Sequence, residues 1–369
     1  MPAFKNQHFV PRVHLKPFSV QGEGLAISLY NSGSQRIIHN APTKHQCSRD
    51  YFYGEAGDVA LEDNLKELEG RYGTLVQELV GASASRESVS RQTVAWLRLF
   101  WAVQWARTEA AEEEAKQLSL RAASIFEIPQ LAEAPPGNKW VLIPLSLFAK
   151  AYEHATDLQH VFVRNQTQTP FITSDNPAAV TSKLHILDKR AQHVAFGIGS
   201  AGAILFLPLT PHIALIFYDA DVYKVDDRNG WVDVTRACDI DAINEHQILN
   251  CRSNVYFSSH HSFDWIPLAF DRFAEQRAQE LWKYEYAVLH SEKNGTKTYK
   301  VVPARDAEND REALIKYSAI QRHPAGWPSF LRWRPRGRAF DTGTGAGIVR
   351  AKYVRENPLV RCRPFRIDK

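Results

Sequence analysis

Apolar positions in the first part of the chain recur with two different periods, which predict a hairpin followed by a long helix. Residues 25–30 and 36–38 are apolar segments joined by the turn-forming sequence Asn-Ser-Gly-Ser, a pattern typical of two antiparallel strands. Over residues 59–80, leucine and tyrosine recur in steps of three and four. That spacing places them on one face and predicts an amphipathic helix.

A second long helix is predicted over residues 86–118, with Ser85 as its N-cap. Its middle part, residues 94–106, carries apolar side chains around most of its circumference, so we expect it to be buried. The following acidic run, residues 112–114, is typical of a solvated helix face.

The rest of the chain to about residue 290 alternates between short apolar runs and helical patterns. We expect helices at 140–155 (after Pro144) and 240–251, and strands at 161–163, 171–173, 203–209, 213–218 and 255–258. The alternation predicts an α+β fold, a mixed domain in which long helices pack on a largely antiparallel sheet.

Composition and charge divide the chain into two parts. With 369 residues, 44% of them hydrophobic, the chain can build a large core, and we expect one large domain over residues 1–290. Residues 321–369 contain twelve Lys and Arg against three Asp and Glu, whereas the net charge of the whole chain is only +4. We therefore expect residues 291–369 to form a basic C-terminal extension of a mildly acidic body.

Cysteine placement and hydropathy exclude several classes of protein. The four cysteines, at 47, 238, 251 and 362, lack the short paired spacing of zinc ribbons and redox motifs. The N-terminal residues lack the apolar segment of a signal peptide, and no apolar run is long enough to cross a bilayer. We expect a cytoplasmic protein with free thiols and no membrane association.

Polar side chains gather in four short motifs. Residues 6–12, Asn-Gln-His-Phe-Val-Pro-Arg, combine amide, imidazole and guanidinium groups. Gln104 and Arg107 lie three residues apart and so project together from the end of the apolar helix segment. The turn at 174–177, Ser-Asp-Asn-Pro, follows a predicted strand, a common place for site residues, and Asn244 lies within a predicted helix.

Together these motifs resemble a bacterial family of uncharacterised proteins, domain of unknown function 4238, over about residues 5–290. The residues that carry the resemblance are Asn6-Gln7-His8-x-Val10-Pro11-Arg12-x-x-Leu15, Gln104-x-x-Arg107, Thr173-Ser174-Asp175-Asn176-Pro177, Ile243-Asn244 and Tyr256-x-Ser258. The N-terminal motif and the Ser-Asp-Asn-Pro turn are its specific parts. The resemblance implies a mixed α+β fold with long helices and brings no established activity. The basic segment after residue 290 lies outside it.

The chemistry of these residues suits a site for a phosphate or a carboxylate. His8 has an ordinary pKa near neutrality and is the natural acid or base. Asp175 could orient its imidazole or bind a divalent metal ion, although the metal requirement is unknown. Arg12 and Arg107 could clamp the anion. We expect neutral hydrogen bonds to substrate from four amides: Gln7, Gln104, Asn176 and Asn244.

A purely structural interpretation accounts for the same residues. His8 and Arg12 could cap a helix that begins near Val10, and Asp-Asn-Pro at 175–177 is also the sequence of an ordinary Asx turn. Arg107 could neutralise a buried carboxylate. The sequence leaves both interpretations open.

The tail carries a different signal. Arg332, Arg334 and Arg336 alternate with other residues, among them Trp333, and would share one face if the segment were extended. Arginine interleaved with aromatic residues is typical of nucleic-acid surfaces, in which guanidinium groups contact phosphates and rings stack on bases. A basic extension that binds an acidic partner, or the protein's own body, is the alternative.

These observations favour a nucleic-acid-processing enzyme, a nuclease that acts as a toxin or phage-defence effector, with nucleic acid as its partner. One alternative is a non-catalytic module that binds nucleic acid or a protein. The other is a hydrolase of a small phosphorylated or acylated metabolite, which would need a closed pocket around His8.

Overall fold

The computed structural model describes residues 5–54, 60–126, 129–258, 263–279, 282–293, 295–302, 312–356 and 361–367. The helices in these ranges are α1 (Arg12–Leu15), α2 (Ala60–Ser85), α3 (Arg91–Ala106), α4 (Glu109–Phe126), α5 (Leu142–Ser146), α6 (Phe148–Ala155), α7 (Lys183–Leu187), α8 (Ala237–Asn250), α9 (Trp265–Arg272), α10 (Ala274–Ala278) and α11 (Ala351–Glu356). The strands are β1 (Asn6–His8), β2 (Ala26–Asn31), β3 (Arg36–Pro42), β4 (Ser48–Asp50), β5 (Gln159–Asn165), β6 (Thr173–Ser174), β7 (Ala179–Thr181), β8 (Ile204–Thr210), β9 (Ile213–Tyr218), β10 (Tyr223–Lys224), β11 (Trp231–Val234), β12 (Asn254–Phe257), β13 (Trp282–Lys293), β14 (Thr296–Val302), β15 (Ala313–Ala319), β16 (Arg332–Trp333), β17 (Gly337–Asp341), β18 (Ile348–Val349) and β19 (Arg363–Ile367). The predicted α+β class is confirmed.

Two sheets form the centre of the molecule. The larger has the order β11-β5-β9-β8-β7, and all its pairs are antiparallel except β11 with β5. Every residue of β8 and β9 is buried, which explains their nearly continuous apolar sequences. The second sheet has the order β3-β2-β12-β6 and contains the predicted hairpin, β2 with β3.

The long helices pack on these sheets through large aromatic side chains. Trp101 of α3 is fully buried, and its indole Nε1 donates a hydrogen bond to the carbonyl oxygen of Phe206 in β8 at 3.2 Å. Tyr72 of α2 stacks on Phe100 of α3 with ring centroids 3.6 Å apart. The amphipathic helix predicted over residues 59–80 is thus confirmed as α2, although it continues to Ser85.

The helix predicted over residues 86–118 is wrong, because the structure has two helices there. Ser90, not Ser85, is the N-cap of α3, and its hydroxyl accepts a hydrogen bond from the backbone N–H of Thr93 at 3.0 Å. At Arg107 the backbone leaves the helical conformation, with φ −104° and ψ 8°. The hydroxyl of Thr108 then accepts from the N–H of Ala111 at 3.2 Å and so caps the start of α4.

The prediction that the acidic run at residues 112–114 forms a solvated helix face is also wrong. Glu112 is buried, and its carboxylate forms an ion pair with Arg49 at 2.6 Å. Glu114 is partly buried in the wall of a cavity. Because α4 starts afresh after the break, its faces do not continue those of α3.

The described part of the basic C-terminal segment packs on the body. Leu331, Ala339, Ile348 and Ile367 are buried in the same apolar cluster as the central sheet. Arg350, 2% exposed, forms an ion pair with Asp157 at 2.7 Å. The boundary predicted at residue 290 stays a prediction.

Among the helices described above, none combines the length and the apolar character that a membrane span requires.

Candidate functional site

The N-terminal motif and the end of α3 come together, as their polar side chains suggested. The guanidinium Nη2 of Arg107 donates to the carbonyl oxygen of His8 at 2.7 Å, and the amide of Gln104 donates to that of Phe9 at 2.9 Å. The side-chain oxygen of Gln7 accepts a hydrogen bond from the backbone N–H of Tyr53 at 2.6 Å. These contacts fix the main chain of β1.

Most of the hydrogen-bond donors of the Arg107 guanidinium group are used in contacts within the protein. It is 1% exposed, and its Nη2 also forms an ion pair with Glu69 at 2.7 Å. Its Nε donates to the hydroxyl of Tyr53 at 3.0 Å. Only Nη1 is buried without a hydrogen-bond partner among the described residues. A role as a phosphate clamp would have to use that one nitrogen.

One imidazole nitrogen of His8 has no hydrogen-bond partner among the described residues. This nitrogen, Nε2, is buried. The pKa of His8 is lowered to about 4, mainly by burial and in smaller part by the nearby charges of Arg12 and Arg107, although a hydrogen bond with the backbone of Lys44 opposes the change. His8 is therefore neutral at pH 7, and an anion bound beside Nε2 would raise its pKa.

Arg12 is the exposed member of this group. It begins α1, and neither a hydrogen bond nor an ion pair links its side chain to any residue that the structure describes. His8 and Arg12 together thus offer an unpartnered imidazole nitrogen and an accessible guanidinium group.

Asp175 and the two asparagines contact main chain. The carboxylate of Asp175 accepts three successive backbone N–H groups, those of residues 252, 253 and 254, at 2.8, 2.7 and 2.9 Å. Asn176 accepts from the Thr108 hydroxyl at 3.1 Å and donates to the carbonyl oxygen of Asn250 at 3.1 Å. Asn244 accepts from the N–H of residue 172 at 3.0 Å. Over the described ranges, no hydrogen bond joins Asp175 to His8, and its proposed catalytic role stays a prediction.

The predicted tail arginines do not share one extended face. Arg332 lies in β16, where it forms an ion pair with Asp226. Arg334 donates to the carbonyl oxygen of Ala220. Arg336 adopts a positive φ of 58° in the turn before β17, so the chain reverses before the alternation can build a single face.

A basic groove lies beside this turn. It has a volume of about 480 Å³, and its lining includes Arg336, Arg338, Phe340 and Arg366. We call it the arginine groove. Arg338 and Arg366 are directly opposite each other in the β17/β19 pair, and both are exposed. In the part of the chain that the structure describes, neither they nor Arg336 have an acidic or hydrogen-bonding side-chain partner.

Sequence reasoning missed two of these arginines for different reasons. Arg338 continues the alternation of Arg332, Arg334 and Arg336 and could have been selected on that ground. Arg366 lies 28 residues further along the chain from Arg338, and only the strand register brings the two together.

Metal ligands are not assigned. The described residues contain no group of three His, Cys, Asp or Glu side chains arranged to hold a metal ion.

Comparison with known proteins identifies a family and no relative of known function. A family model described as "Protein of unknown function (DUF4238)" matches residues 6–261, more than half of the chain. No curated protein and no solved structure matches. The match includes His8, Arg12, Arg107 and Asp175, whereas the arginine groove lies beyond it. The chain belongs to this family of proteins of unknown function, DUF4238.

Proposed function

We propose that this protein binds a single-stranded nucleic acid in the arginine groove and processes it as a nuclease, with His8 as the proton-transfer group. The proposal places the activity in the cytoplasm and includes a biological role as a toxin or phage-defence effector. The observation that carries it is the cross-strand pair Arg338 and Arg366 beside Arg336.

Like charges directly opposite each other destabilise a strand pair. A bound phosphate would remove that cost, because each oxygen accepts from a guanidinium group. The groove also contains Phe340, which lies on the same face of the β17/β19 pair as Arg338 and Arg366, and aromatic rings at a basic groove stack on unpaired bases. The combination therefore suits a strand whose phosphates and bases are both accessible.

The catalytic part of the proposal uses His8 and Arg12. A neutral imidazole with an unpartnered Nε2 can take a proton from a water molecule or a ribose hydroxyl as that oxygen bonds to phosphorus. The imidazolium can then return the proton to the leaving oxygen as the P–O bond breaks, while Arg12 stabilises the charge that develops on the phosphate. These groups account for a phosphodiester cleavage without any assigned metal ligand.

A non-catalytic binding module is the second candidate. It is favoured by the contacts of Asp175, Asn176 and Asn244, which hold backbone groups in place. In this case the arginine groove would bind nucleic acid and the N-terminal cluster would only support the fold.

Binding is tested with fluorescently labelled single-stranded RNA and DNA oligonucleotides. We expect the double variant Arg338→Ala/Arg366→Ala to bind at least tenfold more weakly, because two phosphate contacts are lost. The matched control is Arg36→Ala/Arg71→Ala, which removes the same charge from exposed positions of β3 and α2. Equal weakening in both double variants would contradict a specific groove and indicate a general charge effect.

Cleavage is tested by incubating the same oligonucleotides with the protein, with and without a chelator. Products should form with the parent protein and disappear with His8→Ala and His8→Gln, while the exposed His39→Ala serves as the control. Cleavage that persists in both His8 variants would exclude this residue as the acid or base. Binding without any cleavage by the parent protein would favour the non-catalytic module.

A further inference from the structure

A second cavity lies on another part of the molecule, between α3, α4 and the β7 edge of the larger sheet. Its volume is about 180 Å³. It is lined by Trp105 and Glu114 from the two sides of the α3/α4 break, by His246 of α8, and by Trp282 and Arg322. None of these residues belongs to the proposed phosphodiester chemistry.

Two polar side chains of this cavity, those of His246 and Glu114, have groups without a hydrogen-bond partner among the described residues. Nε2 of His246 is buried without a hydrogen-bond partner among the described residues, and His246 as a whole is 4% exposed. The carboxylate of Glu114 has no hydrogen bond or ion pair within the described ranges. Burial raises the pKa of Glu114 to about 7, and Arg322 is close enough to oppose that rise. Buried polar groups normally have partners, so these atoms are candidates for hydrogen bonds to a bound molecule.

Arg322 is fixed in the cavity wall. Its Nη2 donates to the carbonyl oxygen of Arg277 at 3.1 Å, and its Nη1 donates to that of Leu249. A guanidinium group has five N–H donors, so others remain for a ligand.

The apolar part of the wall favours a flat ring. Trp105, Phe196 and Trp282 contribute three aromatic side chains. The volume is below the roughly 300–1,000 Å³ of pockets for drug-sized ligands, so the occupant is about one ring system in size.

We propose that this cavity binds a guanine base, with its N–H groups donating to Glu114, its carbonyl oxygen accepting from Arg322 and its ring between the aromatic side chains. Proteins read unstacked bases by these two means, hydrogen bonds to the base edge and stacking on aromatic rings. Guanine presents a carbonyl acceptor next to two N–H donors, which complements a guanidinium group and a carboxylate. Adenine has an amino group where guanine has the carbonyl, so it would meet Arg322 with a donor.

The inference does not depend on the arginine groove, because free guanosine is the probe. The full-length protein is titrated with guanosine and with adenosine by isothermal titration calorimetry. We expect saturable binding of guanosine, adenosine weaker by about tenfold or more, and a loss of at least about tenfold in guanosine affinity in Glu114→Gln.

Two controls make the result specific. Glu113→Gln changes the neighbouring carboxylate of the same helix, which accepts a hydrogen bond from Gln117 at 3.1 Å, and should leave guanosine binding unchanged. Guanosine affinity should also fall about tenfold from pH 8 to pH 6 as Glu114 takes up a proton. Over this range Arg322 stays charged and His246, whose pKa burial lowers to about 3, stays neutral.

The source of the base is distinguished by a further arm. If Glu114→Gln weakens an oligonucleotide with one guanine more than the same strand with adenine, the base comes from a strand; if only free guanosine is affected, it comes from a small molecule. No binding of guanosine, equal binding of adenosine, or unchanged affinity in Glu114→Gln would each overturn the proposal.

Discussion

Replacing Asp175 by Asn tests whether this residue supports the fold. The carboxylate accepts three backbone N–H groups from the connection after α8 and the first residue of β12, two on Oδ2 and one on Oδ1. Asn has the same shape but only one acceptor oxygen. If that oxygen takes the place of Oδ2, the amide nitrogen must face the N–H of Arg252, and a buried donor is left without an acceptor.

The magnitude follows from these contacts. A hydrogen bond to a charged group contributes about 1.5–3 kcal/mol, and an unsatisfied buried donor costs about 1–3 kcal/mol. Removing the charge returns part of this, because burial raises the pKa of Asp175 despite the three hydrogen bonds. We therefore expect Asp175→Asn to lower the free energy of unfolding by about 2 kcal/mol.

The assay is chemical unfolding in urea, followed by tryptophan fluorescence and far-UV circular dichroism and compared at an unchanged m value. Asp63→Asn is the control, since Asp63 is exposed on α2 and its loss should change stability by less than about 0.5 kcal/mol. A stability equal to that of the parent protein, combined with loss of activity, would refute the structural reasoning and favour a catalytic carboxylate.

Three further predictions concern stability. Burial lowers the pKa of His14 and of His246 to about 3, so below pH 6.5 the unfolded chain binds more protons than the folded protein. The free energy of unfolding, measured in urea, should therefore be lower at pH 5 than at pH 7 by about 2 kcal/mol for each of these histidines. Glu114 has the opposite effect on the pH dependence of stability, because its raised pKa means that the free energy of unfolding falls as the pH rises from 4.5 to 7. We expect Glu114→Gln to be about 1–2 kcal/mol more stable than the parent protein at pH 7.5, and its stability to depend less on pH. A less stable variant would contradict this. Gly347 has φ +72°, and a Cβ there would lie 2.5 Å from Val194 Cγ1, so Gly347→Ala should lower the free energy of unfolding by about 2 kcal/mol; an unchanged melting curve would show that the C-terminal segment does not pack on the body as described.

Much of the fold could be predicted because the apolar periodicity of single elements is strong. The β2/β3 hairpin and α2 follow directly from their patterns, as do the fully buried strands β8 and β9. The break between α3 and α4 could not be predicted in this way. The apolar residues continue to Ala106, and the break depends on a local cap at Thr108 and on the burial of Arg107, which needs Glu69 as a tertiary partner.

That some of the candidate residues lie together could be predicted from the sequence, whereas the contacts that they make could not. Spacing indicated that Gln104 and Arg107 act together, and both contact the N-terminal motif. Which atoms they contact depends on the tertiary structure: Arg107 binds a backbone carbonyl oxygen and Glu69. The cavity at Glu114 could not be predicted from the sequence either, because an acidic run on a helix is usually solvated.

The salt dependence of nucleic-acid binding tests the central claim most directly. For the parent protein, the logarithm of the association constant for a single-stranded oligonucleotide should fall linearly with the logarithm of the salt concentration. In Arg338→Ala/Arg366→Ala the slope should be smaller by about 1.4, or about 0.7 for each lost phosphate contact. In Arg36→Ala/Arg71→Ala it should be unchanged. An identical slope and affinity in the parent and the Arg338/Arg366 variant would contradict the assignment of the arginine groove to nucleic acid.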